Sequence, residues 1–590
     1  MSTTKRHQKN DGNGSGQRLI TPEDLKAIRY LSDPQISPDG RSMLFTQREA
    51  DPDKPKAYRT NIWISDLDGD DITEPRQLTY SGKDQGARWS PDGSRIAFVS
   101  RRLDSRPQIF VLDYAAGGEA QAVTELPEGS IGHYLWSPDG SRIAFAFREQ
   151  HAHWTEDAKK KRGDANESDP PRIVEDWWYR LDGDGYFLEQ RYSLRCLDLD
   201  SREVETLYTE DTLGWFDFDW SPEGDTIVIA TNRDAEAMVR PWNSDLILLD
   251  VATRKLTPID GLPEGPKGPV KWSPDGGWIA YGGREGEDDT YSTENYQLYI
   301  CTPDGSTVRN LLDQTDYCLA AATLSDTAEV AFSAVFEWGR NSKGLFLQIG
   351  WHGECHVASV AVSGRGNVKM LTEGKVVHSL GNVSRSRNRL AMTVDTVNSP
   401  PEIAVGDAGS GLNQLTVRRV TNQNKALLDE LHLATIEEHW VDVPGCDDAG
   451  PDHPMAKPAK VHTWVMRPPS ATSDDGPRPG ILEIHGGPHT QYGVGFFHEF
   501  QVLAAAGYTV VFSNPRGSKG YGRDHCAAIR GHWGGADWED IRNVGRFMQS
   551  LPDVDAKRCG IMGGSYGGYM TNWAIGHTDE YAGAITDRCV

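Results

Sequence analysis

The sequence predicts a β-propeller followed by an α/β domain with a mostly parallel sheet. Three observations indicate this fold class. A Trp-Ser-Pro-Asp-Gly string recurs along the first two thirds of the chain, the last third alternates apolar strands with helices, and a Gly-Gly-Ser-Tyr-Gly-Gly turn stands near the end. With 590 residues, the chain is long enough for more than one domain.

The repeated string sets the number of propeller units. Clear copies begin at Ile36, Trp89, Trp136, Trp220 and Trp272, and weaker copies begin at Leu324 and Val383. An alternating apolar strand follows each copy, and the copies lie 47 to 59 residues apart except for one interval of 84. Seven units of this period indicate a seven-bladed propeller with four strands per blade. A solenoid or a β-sandwich of the same repeats is the alternative.

The Pro-Asp-Gly part of each copy predicts a tight hairpin turn. Proline fixes φ, the aspartate side chain bonds its own backbone, and glycine adopts a positive φ. We expect a further strand beside each hairpin, and the candidates are NIWISDLDG at 61–69, QIFVLDYAAG at 108–117, DLILLDVAT at 245–253 and QLYICTPDG at 297–305.

The interval of 84 residues holds an insertion near 150–190. Its first part is charged, which is typical of a surface excursion, and its second part, VEDWWYRLDGDGYF, is aromatic and must pack on something. The insertion is therefore either a decorated surface loop or a flap that narrows access to a cavity.

From about residue 425 the pattern changes to strands alternating with helices. After a linking segment, KALLDELHLATIEEHWVDVPG, the predicted elements are a strand at 481–485, a helix closed by Gly507, a strand at 509–514, a helix at 536–550, a short strand at 559–562, a helix from Tyr569 and a last strand within 582–590. This alternation predicts a parallel sheet with helices on both faces. We place a disordered tail at 1–17, the propeller at 18–424 and the α/β domain at 425–590.

Residues 563–568 place Ser565 between a predicted buried strand and a predicted helix. This strand-turn-helix setting is typical of a nucleophile elbow, in which a serine oxygen is exposed at a sharp turn. Gly563 and Gly567 allow the strand and the helix to approach closely. The alternative is a glycine-rich turn with a solvent-exposed serine.

Two further stretches belong to this predicted site. HGGP at 485–488 follows a strand, where the hydrolase fold places a loop that donates one N–H to an oxyanion, and the second donor is the amide of Tyr566. NPRGSKGYG at 514–522 follows the next strand, and we expect Arg516 to have a structural role there.

Taken together, the WSPDG repeats, HGGPHTQYG (485–493), NPRGSKGYG, GHWGGADWED (531–540) and GGSYGGYM (563–570) resemble the prolyl oligopeptidase family of serine peptidases. The resemblance is greatest to the branch of acylaminoacyl peptidases and dipeptidyl-peptidase-like enzymes, and it covers the chain from about residue 18. It implies a propeller that caps an α/β-hydrolase domain, with the active site between them. By motif position, Ser565 is the nucleophile, and the amides of Gly487 and Tyr566 form the oxyanion hole.

The resemblance also implies that the triad Asp and His are not in this chain, because they follow the serine in the family and only 25 residues follow Ser565. We do not expect His577, Asp579 or Asp587 to replace them. The hydrolase domain is thus predicted to be incomplete at its C-terminus, and the last strand, which has no polar tail, favours a truncated chain. We expect the 590-residue chain to have no appreciable peptidase activity.

Composition excludes several other classes. The net charge of −25 argues against nucleic acid or an anionic membrane as a partner, and no apolar run has the length of a membrane span. The polar N-terminus has no signal-peptide core, and the eight cysteines form no C-x-x-C pair, so we expect a cytoplasmic protein with reduced thiols. The histidines lack a metal-binding spacing, and we expect neither a metal nor another cofactor.

The expected function is hydrolysis of short peptides through an acyl-enzyme, because a propeller cap excludes folded proteins. Two alternatives stay open: an esterase or lipase on the same fold, and a catalytically inactive binding protein. The expected partners are short peptide substrates, and a homo-oligomer is possible.

Overall fold

The computed structural model describes residues 16–590 except for 55, 69–73, 105, 289–291, 364–365, 386–387, 410, 447–449, 451–452 and 470–475. The predicted disordered tail at 1–17 lies outside the described residues, apart from Gly16 and Gln17.

Residues 30–310 form five antiparallel sheets of four strands each. The first contains β1 (Tyr30–Ile36), β2 (Ser42–Ala50), β3 (Tyr58–Asp66) and β4 (Arg76–Gln77), and the second β5 (Asp84–Trp89), β6 (Arg95–Ser100), β7 (Gln108–Asp113) and β8 (Gln121–Ala122). The third contains β9 (Gly129–Trp136), β10 (Arg142–Glu149), β13 (Ser193–Asp198) and β14 (Val204–Tyr208). The fourth contains β15 (Asp217–Trp220), β16 (Thr226–Thr231), β17 (Asp245–Asp250) and β18 (Leu256–Pro258), and the fifth β19 (Lys267–Trp272), β20 (Ile279–Gly283), β21 (Gln297–Cys301) and β22 (Val308–Asn310).

A sixth sheet has eight strands and consists of two meanders. They are β23 (Phe336–Trp338), β24 (Gly344–Trp351), β25 (Glu354–Ala361) and β26 (Lys369–Met370), then β27 (Val377–Val383), β28 (Arg389–Thr396), β29 (Ser399–Ala408) and β30 (Leu415–Arg419). One parallel pair, Cys355 with Val377, joins the two meanders. We call residues 30–419 the repeat domain. The four predicted partner strands correspond to β3, β7, β17 and β21, so these predictions are confirmed.

The predicted Pro-Asp-Gly hairpins are present and are held by local hydrogen bonds. In the second sheet, Ser90 Oγ donates to Asp92 Oδ1 over 2.5 Å, and the Arg95 amide donates to Ser90 Oγ over 2.9 Å. Gly93 has a φ of +75°. The turn therefore depends on the residue types within the motif, as the sequence predicted.

The arginines two positions after the Pro-Asp-Gly turns at Gly93 and Gly140 join neighbouring sheets. Arg95 donates to the carbonyl of Gly140 over 2.6 Å, and its guanidinium lies 5.1 Å from the ring centroid of Trp136. Arg142 makes the same hydrogen bond to Gly224. Arg389 in the last meander bonds the carbonyl of Gly40 over 2.8 Å, so the same contact joins the last sheet to the first.

The weak repeat copy at Leu324 does not form the predicted hairpin and strand. Residues 324–335 contain no strand, and the chain enters the next sheet only at β23. This copy lacks Pro-Asp-Gly, and its backbone pairs instead with the α/β domain: the Leu324 amide donates to the Gln491 carbonyl over 2.9 Å. The prediction was wrong at this position. The other weak copy, at Val383, does form a hairpin between β27 and β28.

The insertion near 150–190 has a definite structure. It contains helix α1 (Glu156–Ala165), followed by a short hairpin of β11 (Arg180–Leu181) and β12 (Gly185–Tyr186). No side chain of α1 is buried, whereas Trp154 just before it is buried beneath the guanidinium of Arg172, at 4.1 Å. The charged part therefore lies on the surface, as predicted. The aromatic part packs only partly, because Phe187 is buried whereas Trp177 is 78% exposed.

The α/β domain follows helix α2 (Lys425–Glu430) and contains one six-stranded sheet in the order β31-β32-β34-β33-β35-β36. Its strands are β31 (Ile436–Val443), β32 (Ala459–Met466), β33 (Arg478–Ile484), β34 (Thr509–Asn514), β35 (Val554–Gly564) and β36 (Gly583–Asp587). Its helices are α3 (His498–Ala505), α4 (Arg523–Ala527), α5 (Ala536–Ser550) and α6 (Tyr566–His577). Short 3-10 helices lie at Pro22–Lys26, Ala152–Trp154, Arg340–Ser342 and Pro454–Ala456.

The sheet is parallel from β34 through β36, as predicted, but β31 and β32 extend it with antiparallel pairing. The supposed linking segment after residue 425 therefore contributes an edge strand, and the sequence analysis missed β32. The missed strand contains Trp464, whose side chain is completely buried.

Candidate active site

Ser565 lies at a strained turn between β35 and α6. Its φ of 57° and ψ of −122° are unusual for a residue other than glycine. Its amide donates to the carbonyl of Asp587 over 2.9 Å, and the residue is exposed. A Cβ on Gly567 would lie 2.0 Å from the Ile484 carbonyl oxygen, so only glycine allows this close approach of helix and strand. The geometry matches the predicted elbow.

The HGGP segment runs directly beside Ser565. A Cβ built on Gly486 would lie 3.4 Å from Ser565 Cβ and 3.9 Å from its Oγ. Gly487 has a φ of +119°, and the Thr490 hydroxyl fixes the loop by donating to the Gly486 carbonyl over 2.6 Å. The structure thus brings Ser565 and the two predicted donor residues, Gly487 and Tyr566, into one place.

The two predicted donor amides are available for a ligand. Tyr566 is the first residue of α6, where helix geometry leaves the N–H without a carbonyl partner in the helix. The Gly487 amide donates to no described residue. The amino terminus of α6 also adds a partial positive charge, which favours a developing oxyanion.

Both ring nitrogens of His485, at the start of the HGGP loop, already have hydrogen-bond partners. Its Nε2 lies 2.9 Å from Ser518 Oγ and its Nδ1 lies 2.8 Å from the Gly486 carbonyl. Burial lowers the pKa of the His485 imidazole to about 4, so the ring is neutral near pH 7. It positions the loop, and it is not bonded to Ser565.

None of the described side chains hydrogen-bonds Ser565 Oγ. His577 Nδ1 is instead 2.7 Å from the Trp573 carbonyl at the far end of α6. The Asp587 carbonyl accepts the Ser565 amide over 2.9 Å, but the Asp587 carboxylate accepts a hydrogen bond from Arg588 over 2.8 Å. None of the described hydrogen bonds therefore joins His577, Asp579 or Asp587 to Ser565 in a catalytic triad.

Arg516, in the loop after β34, has the structural role that was expected. It is buried and bonds both carboxylate oxygens of Asp540, with the shortest contact at 2.6 Å. It also donates to the carbonyls of Met455 and Pro444, each over 2.9 Å. Burial raises the pKa of Asp540 to about 6, although Arg516 opposes that shift.

Asp537 is a site residue that the sequence analysis missed. Its carboxylate is buried, accepts the Gly534 and Trp538 amides, and accepts the hydroxyl of Tyr566 over 2.5 Å. Asp537 thereby ties the GHWGGADWED segment to the residue whose amide is the predicted oxyanion donor. The sequence signal for Asp537 was its position within GHWGGADWED, but its hydrogen-bond partner Tyr566 lies 29 residues away in sequence.

The loops that follow β33 and β34 rest on the repeat domain. Gln491 accepts the Gly353 amide over 2.9 Å and donates to Thr323 Oγ1 over 2.8 Å. The amide of His352 donates to the Gly520 carbonyl over 3.0 Å. The carboxyl edge of the sheet, which carries Ser565, therefore faces the repeat domain.

Within the described residues, no three His, Cys, Asp or Glu side chains come together as metal ligands. None of the helices in the described part of the chain has the length and hydropathy needed to cross a bilayer.

Comparisons with known proteins place this site in a family. A family model described as the prolyl oligopeptidase family matches residues 494–590. The chain is also 30% identical over 578 residues to the uncharacterized peptidase YuxL of Bacillus subtilis, covering 97% of this chain and 82% of that one. The chain belongs to the prolyl oligopeptidase family.

Other members of the prolyl oligopeptidase family are similar over nearly the whole chain. Dipeptidyl-peptidase 5 of Porphyromonas gingivalis is 26% identical over 590 residues, which cover 96% of this chain and 78% of that one. The solved structure of Pyrococcus horikoshii acylaminoacyl peptidase has a TM-score of 0.74 at 23% identity and covers 97% of this chain and 79% of its own. This structural similarity supports the fold: a propeller joined to an α/β-hydrolase domain.

Proposed function

We propose that this serine peptidase family member hydrolyses short peptides, with Ser565 as the nucleophile and the amides of Gly487 and Tyr566 as the oxyanion hole. The observation that carries the proposal is the exposed Ser565 hydroxyl on a strained elbow, with the HGGP loop beside it. We propose a substrate class like that of the relatives named for acylaminoacyl or dipeptidyl peptidase activity.

In the proposed reaction, Ser565 Oγ attacks the carbonyl carbon of the scissile peptide bond and loses its proton to a base. The carbonyl oxygen becomes negative and is stabilised by the two backbone amides. The C–N bond then breaks, the amine leaves with a proton, and water hydrolyses the acyl-enzyme. Asp537 would hold Tyr566, and hence its amide, in position during these steps.

We further propose that the repeat sheets close as a seven-bladed propeller cap and that the catalytic histidine and acid lie outside residues 1–590. The bond from Arg389 to Gly40 supports ring closure. Ser565 Oγ has no hydrogen-bond partner among the described side chains, which supports the proposal that the catalytic base lies outside these residues. The cytoplasmic location, the domain boundaries and a homo-oligomer stay predictions.

The nucleophile is tested by labelling the 590-residue chain with a fluorophosphonate, with and without added imidazole. Because a diffusible imidazole replaces the missing base, we expect slow labelling that imidazole accelerates. Ser565→Ala should abolish the label, and Ser550→Ala, an exposed helix-end serine, should not. Equal labelling of Ser565→Ala and wild type would overturn the nucleophile, and fast labelling without imidazole would overturn the missing base.

The substrate class is tested by turnover of acyl-alanyl, dipeptidyl and simple ester chromogenic substrates under the same imidazole conditions. Turnover of the two peptide types that is lost in Ser565→Ala would support the proposal. Turnover of the ester alone would favour an esterase.

A further inference from the structure

Lys519, in the NPRGSKGYG loop, is buried at the contact between the α/β domain and the repeat domain. Only 3% of its surface is exposed. Within the described residues its Nζ forms no ion pair, and its one polar contact is with Cys318 Sγ, at 3.5 Å. A buried amine is unfavourable unless it is paired with an acidic group, so a lysine whose only partner is a thiol differs from ordinary packing.

The thiol belongs to the repeat domain. Cys318 lies in the connection between β22 and β23 and is 4% exposed. Its sulfur accepts the Tyr296 amide over 3.3 Å as well as Lys519 Nζ. Two N–H groups therefore hold the sulfur in place, and one of them comes from the other domain. We call Lys519 and Cys318 the amine–thiol pair.

A second buried thiol in this region has other partners. Cys526 Sγ lies 3.4 Å from His489 Nδ1 and 3.5 Å from the Gly517 carbonyl oxygen, and both groups belong to the same domain as Cys526. Burial raises the pKa of the Cys526 thiol to about 12, so it stays protonated near neutral pH. Cys318 is thus the thiol that contacts the amine.

Short hydrogen bonds connect the amine–thiol pair to the candidate active site. The Lys519 amide donates to the Thr490 carbonyl over 3.0 Å, and the adjacent Ser518 bonds His485 Nε2 at the start of the HGGP loop. The pair therefore joins the repeat domain to the loop that supports HGGP. Because described residues already cover both side chains, their burial does not depend on any further part of the α/β domain.

We propose that the amine–thiol pair is an oxidative modification site, at which hydrogen peroxide joins Cys318 Sγ to Lys519 Nζ through a covalent S–N bond. The observation that carries the proposal is the direct contact of a buried amine with a buried thiol across the two domains. The proposal does not depend on Ser565 being the nucleophile.

The reaction has two steps. Cys318 Sγ attacks one oxygen of the peroxide, the O–O bond breaks, water leaves, and the sulfur becomes a sulfenic acid. Lys519 Nζ, as the free amine, then attacks this sulfur, the S–O bond breaks, and the hydroxide leaves as water with a proton from the amine. The sulfur loses two electrons and the peroxide gains them, so that thiol, amine and hydrogen peroxide give a sulfenamide and two waters.

The S–N bond would connect two residues that are 201 positions apart in sequence and lie in different domains. A link of this kind lowers the entropy of the unfolded chain, so the oxidised protein is expected to unfold at a higher temperature. It would also prevent the two domains from separating at the NPRGSKGYG loop. Reduction by a thiol would restore the free amine and the free cysteine.

The test is treatment of the 590-residue chain with hydrogen peroxide, in a Cys589→Ser background because Cys589 is exposed. Proteolysis and tandem mass spectrometry would identify linked peptides. We expect one peptide pair joined through Cys318 and Lys519, lighter than the two free peptides by two hydrogen atoms and separated by dithiothreitol. The midpoint of thermal unfolding should rise by at least about 3 °C on oxidation and return on reduction.

Three variants serve as controls. Cys318→Ser and Lys519→Met each remove one partner, and each should abolish both the linked peptides and the rise in the unfolding midpoint. Cys526→Ser removes the second buried thiol and should retain both effects. Because tandem mass spectrometry locates the bond in the chain that keeps both partners, the test stands even if Lys519→Met does not fold.

Three results would overturn the proposal. The first is a disulfide between Cys318 and Cys526 in place of the S–N bond. The second is a sulfinic acid at Cys318 with Lys519 unmodified. The third is an unmodified Cys318 at a peroxide concentration that oxidises Cys589 in the parent chain.

Discussion

The Pro-Asp-Gly hairpins of the repeat domain and the elbow at Ser565 are both glycine-containing turns, but different contacts hold them. The hairpin at Gly93 is fixed by Ser90, Asp92 and Arg95, all within six residues. The elbow is fixed by the Ile484 carbonyl behind Gly567 and by Asp537 on Tyr566. A turn of the first kind forms wherever its motif occurs, whereas the second kind exists only when the sheet around it has assembled.

This difference predicts that substitutions in the α/β domain lower the free energy of unfolding more than substitutions in one hairpin. The largest effect should come from Arg516→Ala, which leaves the Asp540 carboxylate buried without its cation. We expect a loss of about 4 kcal/mol in the free energy of unfolding, measured by urea denaturation. Arg542→Ala, which removes a partly exposed partner of Glu539 on the same helix, is the control and should cost less than about 1 kcal/mol. Similar losses in both variants would contradict the structural role of Arg516.

A second prediction concerns Gly567→Ala. Its new Cβ would meet the Ile484 carbonyl at 2.0 Å, so strand and helix must separate. We expect a loss of about 3 kcal/mol in the free energy of unfolding. Gly576→Ala, on the same helix but with nothing within 4 Å, should be neutral or stabilising. A Gly567→Ala protein as stable as Gly576→Ala would show that the elbow is not closely packed.

A third prediction uses pH to compare the domains. Burial lowers the pKa of His378 in the repeat domain and of His485 at the site to about 4 each. The unfolded chain binds these protons from about pH 6.5 downward, so each histidine makes the fold lose stability as pH falls from about 6.5 to 4. Replacing either with Gln should reduce this loss by up to about 3 kcal/mol at pH 4.

The measurement is the free energy of unfolding at pH 7, 6, 5 and 4. An unchanged slope in His378→Gln or His485→Gln would mean that the imidazole concerned is accessible to protons in the folded state.

The smallest effect should come from Asp92→Ala in a single hairpin. The loss of its partly exposed hydrogen bonds to Ser90 and Ser94 should cost about 1 kcal/mol in thermal or urea unfolding. Asp53→Ala, in an exposed loop of the first sheet, should change the stability by less than about 0.5 kcal/mol. A loss above about 3 kcal/mol would show that the hairpin stabilises the whole repeat domain, and not only its own sheet.

Much of the fold was predictable because its signals are local. The WSPDG copies, their partner strands and the alternation around β33, β34 and α5 each depend on residues close in sequence. Prediction failed where a distant partner decided the outcome. Residues 324–335 form no strand, and the Leu324 amide bonds the Gln491 carbonyl of the α/β domain instead. β31 and β32 become strands by adding to the edge of a sheet that follows them in sequence.

The candidate site shows the same division between local sequence signals and contacts with distant partners. The sequence pointed to Ser565, Gly487 and Tyr566, because glycines flank the turn and the HGGP loop follows a strand. It did not reveal Asp537, whose role depends on a hydroxyl 29 residues away. The sequence also did not show which tryptophans are exposed, since only the structure shows that Trp177 and Trp215 remain exposed while Trp178 packs against Trp215.

The sequence alone determined the repeats, their turns, the order of the two domains and the serine elbow, because each is encoded by neighbouring residues with fixed backbone preferences. Only the tertiary structure decided which loops contact the α/β domain, what holds Tyr566 in place, and which large aromatic side chains remain exposed. The physical reason is that burial, and the satisfaction of buried polar groups, depend on partners that the chain brings together from far apart.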